Sequence, residues 1–234
     1  MQAVILAGGL ATRLRELSKF LPKSLMDVNG IPFLSHQINM LSRRNISEII
    51  LCTGHFGGMI EEFAGDGARF GVKIRYSRDG DTLRGTGGAI KNAIPLLEEQ
   101  FFVVNGDTYL PIDLTQMYTA FSLIQKLGMM VVFKNRNRWD TSNVIMNGNL
   151  VEQYNKNGGI PNMDFIDAGI VLFRKSVFVD YGANDVFPLE DVYAKLVKSM
   201  EMAGFETDQR FFEIGSKAGL DEIISLSQAG ILPN

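Results

Sequence analysis

The chain is poor in the residues that build metal centres and covalent staples. Its 234 residues include one cysteine, Cys52, and two histidines, His36 and His55. A single thiol excludes an intrachain disulfide framework and a cysteine-built metal site, and two separated histidines do not suggest a histidine-built one. Cys52 ends the apolar run Ile49-Ile50-Leu51-Cys52, where a buried, inert thiol is expected. His36 reads as a structural residue on a helix face, His55 as part of a loop after a strand. Long apolar runs are missing too: none approaches the roughly 20 residues that span a bilayer. Met1-Gln2-Ala3 leads toward a strand without a basic n-region or cleavage site, so a cytoplasmic protein is expected. Nor is there an excess of positive charge. With 23 Lys and Arg against 26 Asp and Glu, the formal net charge is −3, which argues against a general nucleic-acid binder with its basic face. The expectation is a small-molecule protein with no nucleic-acid or membrane partner, as a monomer or homodimer.

What is present suffices for an ordinary core: 46% hydrophobic and 21% charged residues suit a single domain over residues 1–234. The densest information lies in Val4-Ile5-Leu6-Ala7-Gly8-Gly9-Leu10-Ala11-Thr12-Arg13-Leu14-Arg15, followed by Leu21-Pro22-Lys23-Ser24. An apolar strand breaks into small residues and then into a cationic amphipathic segment, which is the order strand, loop, helix. Paired glycines let a backbone approach a ligand closely, and a helix opening there aims free N–H groups at an anion. Arg13, Arg15 and Lys23 favour a polyphosphate, although a glycine pair can also serve a turn alone. No Gly-Lys-Ser/Thr follows, so this is not a Walker loop. Ala11 stands where G-x-G needs its second glycine, and Cys52-Thr53-Gly54 ends the second strand without an acid, which disfavours an NAD-dependent oxidoreductase.

Further along, residues 25–33 read as a short extended piece with an Asn29-Gly30 turn, residues 34–44 as an amphipathic helix and 47–54 as a second buried strand. A short helix at 59–63 and an alternating strand at 72–76 precede a second glycine-rich loop, Gly85-Thr86-Gly87-Gly88, opening a helix to about residue 97. Phe101-Phe102-Val103-Val104 fits a strand buried on both faces, so Asn105-Gly106-Asp107 falls at its carboxyl end, where open α/β sheets bind ligands. Asn-Gly-Asp is also good turn material, yet an aspartate there can hold Mg²⁺. A helix at 114–125, a strand at 128–133, an antiparallel hairpin around Asn147-Gly148, a strand at 166–173, a helix opening near Glu190 and a closing helix at 220–229 complete the chain.

Gly8-Gly9-Leu10-Ala11-Thr12-Arg13 with Pro22-Lys23 resembles the G-G-x-G-T-R … P-K motif of the sugar-1-phosphate nucleotidylyltransferases, Ala11 replacing a motif glycine. Gly85 to Ile90 and the short length are similar to heptose-1-phosphate guanylyltransferases. The likeness runs in order along nearly the whole chain. It implies an α/β fold with a Rossmann-like mixed, mainly parallel central sheet, helices on both faces and a small antiparallel acceptor-binding subregion. Residues 1–127 would bind mainly nucleotide and 128–234 mainly sugar phosphate. The implied nucleotide contacts are Leu6, Ala7, Gly8, Gly9, Leu10, Ala11, Thr12, Arg13 and Lys23, then Gly85, Thr86, Gly87 and Gly88 against the base, and Asn105 and Gly106.

Arg13, Lys23 and Asp107 would be catalytic: Arg13 clamps the leaving pyrophosphate, Lys23 stands between the reacting phosphates, and Asp107 holds Mg²⁺. Glu213 in Glu213-Ile214-Gly215 resembles the family's second metal carboxylate. Lys156, by itself a surface charge, matches the sugar-phosphate lysine. Asp167 and Gly169 resemble an N-A-G segment near the sugar ring, with Asp167 in place of asparagine, and Glu190, by itself a helix-start acid, would accept from a sugar hydroxyl. The implied reaction joins an NTP to a sugar 1-phosphate with Mg²⁺. The base is not legible; GTP with a manno-heptose 1-phosphate is favoured over CTP and UTP. Alternatives are a non-sugar phosphomonoester such as phosphocholine, or a catalytically silent nucleotide-sugar binding protein.

Overall fold

Alternation within the apolar runs decides which side chains go to which side of the sheet. The computed structural model describes residues 1–9, 21–80, 82–136 and 138–232. In chain order the elements are β1 (Gln2–Leu6), β2 (Asp27–Val28), β3 (Ile31–Pro32), α1 (Phe33–Ser42), β4 (Glu48–Thr53), α2 (Gly57–Ala64), β5 (Lys73–Arg78), α3 (Gly85–Ala93), β6 (Gln100–Asn105) and β7 (Thr108–Tyr109). They continue with α4 (Leu114–Ser122), β8 (Gly128–Lys134), β9 (Val144–Asn147), β10 (Leu150–Tyr154), β11 (Phe165–Arg174), α5 (Leu189–Lys198), β12 (Met202–Thr207), β13 (Phe212–Glu213) and α6 (Lys217–Gln228).

Nine strands form one sheet in the order β5-β4-β1-β6-β11-β8-β12-β10-β9. Neighbours are parallel from β5 to β6 and again between β8 and β12. β11 runs antiparallel to β6 and β8, and β10 to β12 and β9. All strands except β10 and β11 therefore point one way, which is the mixed, mainly parallel sheet expected. Because side chains alternate along a strand, Ala3, Ile5, Ile49, Leu51, Phe102 and Val104 join one core with α1, α2, α4 and α6. Val4, Ile50, Cys52, Phe101 and Val103 join the other with α3 and α5. The apolar stripe of α5 shows the helical counterpart, Leu189, Val192, Tyr193 and Leu196 being buried at successive turns.

Three strands escape a local reading. Strand β12 has Gly204 in its middle, where a Cβ would lie 2.2 Å from Met146 Cε, and glycine hides strand propensity. The ladder of β7 and β13 pairs only Phe212 with Tyr109 and Glu213 with Thr108, too few residues to carry a period. The helix of the second glycine loop also ends early: α3 stops at Ala93 and a 3₁₀ turn, Ile94–Leu96, takes over with Pro95 in its first turn, since proline donates no N–H to the preceding turn.

The parallel strands end together, Leu6 opposite both Cys52 and Asn105. The loop after β6 crosses the end of β1 so closely that a Cβ on Gly106 would lie 2.1 Å from the Leu6 carbonyl oxygen. Both partners there are backbone and neither can yield locally. Gly106→Ala is expected to destabilise the protein by about 3 kcal/mol, read as a lowered urea midpoint at unchanged slope.

Candidate active site

A cleft of about 560 Å³ opens at the carboxyl edge of the sheet, within the size range of small-ligand sites. Among the described residues, Leu6, Ala7, Gly9, Lys23, Thr86, Asn105, Gly106, Asp107, Lys156, Asp167, Glu190 and Glu213 all line it. Leu10, Ala11, Thr12 and Arg13 lie outside the described residues. Gly8 stands behind the wall, where a Cβ would be 3.1 Å from the Gly54 nitrogen, whereas Gly9 faces open space.

Lys23 begins a 3₁₀ turn, Lys23–Leu25, after Pro22, and buried Ser24 and Leu25 pin that turn to the core. Its Nζ donates to Asp107 Oδ2 at 2.5 Å. The short β7–β13 ladder brings the third charge: Ile214 N–H donates to the Asp107 carbonyl at 3.0 Å, so Asp107 and Glu213 become neighbours. Gly215 leaves the space between them open. The position of a Cβ there is 3.5 Å from Lys23 Nζ, 3.6 Å from Asp107 Oδ2 and 4.0 Å from Glu213 Oε2. Burial, and then the Asp107 charge, push the Glu213 carboxyl up to about 7, with Lys23 opposing and Asp167 and Asp140 adding. Two carboxylates held against one another in this way favour a cation between them.

Gln37 holds the turn carrying Asp107. It is fully buried in α1, and its Nε2 donates to the carbonyls of Asn105 at 2.9 Å and Thr108 at 2.7 Å, one on each side of Gly106-Asp107. A glutamine inside an amphipathic helix carries no sequence signal for such a task. Ser24 was equally illegible: it lines the cleft, and its buried Oγ has no hydrogen-bond partner among the described residues.

In the second glycine loop, Thr86 is the member that lines the cleft, and its Oγ1 accepts the first N–H of α5, from Leu189, at 2.7 Å. Gly85, Gly87 and Gly88 lie under the 185–188 segment. The N–H groups of Gly87 and Gly88 both donate to the Phe187 carbonyl, at 3.0 and 3.2 Å, and a Cβ on Gly87 would be 2.4 Å from the Phe187 ring. These glycines allow the loop to seat against Phe187, which stacks on Tyr181 with centroids 4.2 Å apart.

The other half of the cleft is built by β9, β10, β11 and α5. Lys156 and Glu190 form an ion pair. Tyr154 and Tyr193 meet edge to face at 5.3 Å, and burial together with the charges of Asp167 and Glu190 pushes both phenols upward, so they remain hydrogen-bond donors. Gly169 sits behind Asp167 with φ +78°, where a Cβ would be 2.6 Å from Thr108 Oγ1. Asn143, Asp140, Thr141 and the two tyrosines line this half; none belongs to a short motif. His36 is outside the cleft, buried in α1 with Nε2 3.3 Å from the Val28 carbonyl, and its pKa is lowered by burial.

Residues 2–204 match the nucleotidyl transferase family model. Over 221 residues the chain is 33% identical to the D-glycero-α-D-manno-heptose 1-phosphate guanylyltransferase of Campylobacter jejuni, covering 92% of this chain and 95% of that one. It is 29% identical to the N-acetylmuramate α-1-phosphate uridylyltransferase of Neisseria meningitidis, covering 98% and 99% of the two chains. The fold superposes on HddC from Yersinia pseudotuberculosis complexed with GMP-PN with a TM-score of 0.80 at 25% identity, covering 96% of this chain and 98% of that one. A cleft that gathers lysines and carboxylates at the carboxyl edge of the sheet, on a chain matched in this way from end to end, leads to one conclusion: the chain is an enzyme of the nucleotidyl transferase family.

Proposed function

We propose that this enzyme transfers a nucleoside monophosphate from an NTP to a sugar 1-phosphate and releases pyrophosphate, with GTP and a heptose 1-phosphate as the favoured pair. The observation that carries the reading is Lys23, Asp107 and Glu213 converging on one open point above Gly215, in a chain similar along its length to a heptose 1-phosphate guanylyltransferase. In such a transfer an acceptor phosphate oxygen attacks the α-phosphorus in line and pyrophosphate leaves opposite. The nucleophile is already an anion, so no general base is required, which agrees with the absence of histidine among the described lining residues. The physical difficulty is bringing two anions together, and positioned cations overcome it.

Mg²⁺ is the cofactor that fits. Asp107 and Glu213 would hold it, two carboxylates being the donor set this ion takes when water and phosphate oxygens complete its shell. Once bound, it supplies Lewis-acid polarisation of a phosphoryl oxygen. Lys23 neutralises charge between the reactants, and Lys156 answers the acceptor phosphate once it lets go of Glu190. In this reading residues 1–127 serve mainly the nucleotide and 128–234 mainly the acceptor. Among the described residues no helix is long and apolar enough to cross a membrane, and a cytoplasmic enzyme is the reading that fits.

Gln37 acts on this chemistry from behind the turn. Gln37→Leu is expected to raise the Mg²⁺ concentration for half-maximal rate about tenfold, the scale of a lost supporting contact. A titration of initial rate against Mg²⁺ at saturating substrates checks it.

The reading as a whole is tested with the four NTPs and Mg²⁺ in a thermal-shift panel, since a bound ligand raises apparent stability. Pyrophosphate release is then measured with heptose, hexose and N-acetylhexosamine 1-phosphates and with phosphocholine. The expected result is the largest shift with GTP and the fastest release with a heptose 1-phosphate. Release only with phosphocholine, or with no acceptor at all, overturns it.

A further inference from the structure

We propose that the acceptor half of the cleft is a charge filter: Asp167, set by a bulge in β11 in a cleft lined also by Glu190 and Asp140, admits uncharged polyhydroxylated sugar 1-phosphates and rejects sugars that bear a carboxylate of their own. The inference rests on the reading that the acceptor is a sugar 1-phosphate.

The bulge is visible in the register of β11 and β8. Asp167 lies opposite Val132 and Val171 opposite Met130, so the three residues between them on β11 face Val131 alone. Extra residues of this kind bend a strand and re-aim its side chains. The positive φ of Gly169 and its contact with Thr108 make glycine necessary at the bend. Gly169 N–H donates to Asp167 Oδ1 at 3.0 Å, and the Asp167 N–H donates to Asn143 Oδ1 at 2.8 Å. The Asp167 carboxylate is thus fixed by its own backbone and lines the cleft, with no ion pair among the described residues.

Among the charges that line this half, acids outnumber the cation. In this half of the cleft Lys156 is the single described cation, against Asp140, Asp167 and Glu190 as lining acids, and it is already paired with Glu190. Burial raises the Asp167 carboxyl to about 6, with the Gly169 N–H and Lys156 opposing and the Glu190 charge adding, so near neutral pH it is an ionised, acceptor-only group. Sugar hydroxyls donate to carboxylates and satisfy them. A carboxylate on the sugar has nothing to donate, and the acceptor's phosphate already claims Lys156. Like charges set against each other in a desolvated site are a strong device for rejecting a wrong partner.

The test is pyrophosphate release with matched acceptors. The pairs are the α-1-phosphates of glucose, mannose and galactose, each against its uronic acid 1-phosphate, and N-acetylglucosamine against N-acetylmuramate α-1-phosphate. For pairs whose neutral member is used, kcat/KM is expected to favour it by about a hundredfold. Asp167→Asn is expected to narrow that ratio at least about tenfold, because the carboxylate is lost while the amide still binds hydroxyls. Equal kcat/KM within pairs in the wild type, or an unchanged ratio in a folded Asp167→Asn, overturns the filter. If that variant does not fold, Glu190→Gln carries the same ratio test with the same two outcomes. Failure of every neutral sugar 1-phosphate, a heptose 1-phosphate included, overturns instead the activity on which the filter rests, and the filter with it.

Discussion

Replacing Lys23 by alanine is expected to lower kcat about a hundredfold or more, the scale lost with one well-placed electrostatic group. The ammonium is held in position by the turn after Pro22, lies 2.5 Å from Asp107 Oδ2 and has a side chain only 17% exposed. Poor access to solvent means weak screening, and a charge there acts on phosphate oxygens at close to its full local strength. Lys23→Ala removes the one described cation at this point and leaves Asp107 and Glu213 facing each other. The Glu213 carboxyl, which Lys23 holds down, should then titrate at higher pH than in the wild type. Steady-state pyrophosphate release gives the rate, and a rate within a few-fold of wild type would remove Lys23 from the reaction centre. Lys23→Arg is expected to recover part of the loss, since the charge returns on a differently shaped group.

Asp107→Asn should cost as much in turnover, on the order of a hundredfold or more, and should also abolish a binding signal. In the wild type Mg²⁺ is expected to raise the melting temperature without any nucleotide, and more at pH 8 than at pH 6. The sign follows from Glu213, whose carboxyl has an ordinary value of 4.5 and is pushed up to about 7 in the fold. Between those values the folded protein holds a proton that the unfolded chain has released, so metal-free stability falls as pH rises through this window. A cation favours the ionised carboxylate, hence Mg²⁺ must displace the proton below about 7 and binds without that cost above it. In Asp107→Asn one ligand is gone; burial still raises Glu213 while the Asp107 charge that adds to it is lost, so the Mg²⁺ shift should vanish and its pH dependence with it. An undiminished shift in this variant would mean that Asp107 does not hold the metal.

Much of the first half of the chain was legible because its signals are local. The strand before Gly8-Gly9, the four-residue apolar run before Asn105-Gly106-Asp107 and the strand ending at Thr53 each carry their own period and their own stop. Even there the local signal of Gly87 and Gly88 does not say what their N–H groups bond. Whether their N–H groups are free depends on residues nearly a hundred positions away, and Phe187 has taken them. In the second half the hairpin around Asn147-Gly148 was plain, whereas Asn143, Tyr154 and Tyr193 gave no sign of a common cleft.

What the sequence determined by itself is the set of elements whose cause lies within a few residues: alternation that sorts Ala3 and Ile5 from Val4, the apolar stripe of α5, and the glycines that end strands at one edge. Only the tertiary structure decided how the chemistry meets. Asp107 and Glu213 become neighbours through the two-residue ladder of β7 and β13, Gln37 reaches from α1 to hold the turn between Asn105 and Thr108, and a bulge fixes Asp167 in the cleft. Two-residue strands, a lone buried amide and a bulge have no period to read. They form because a sheet already assembled leaves particular N–H and C=O groups to be satisfied, and the residues that satisfy them come from wherever the fold has brought the chain close.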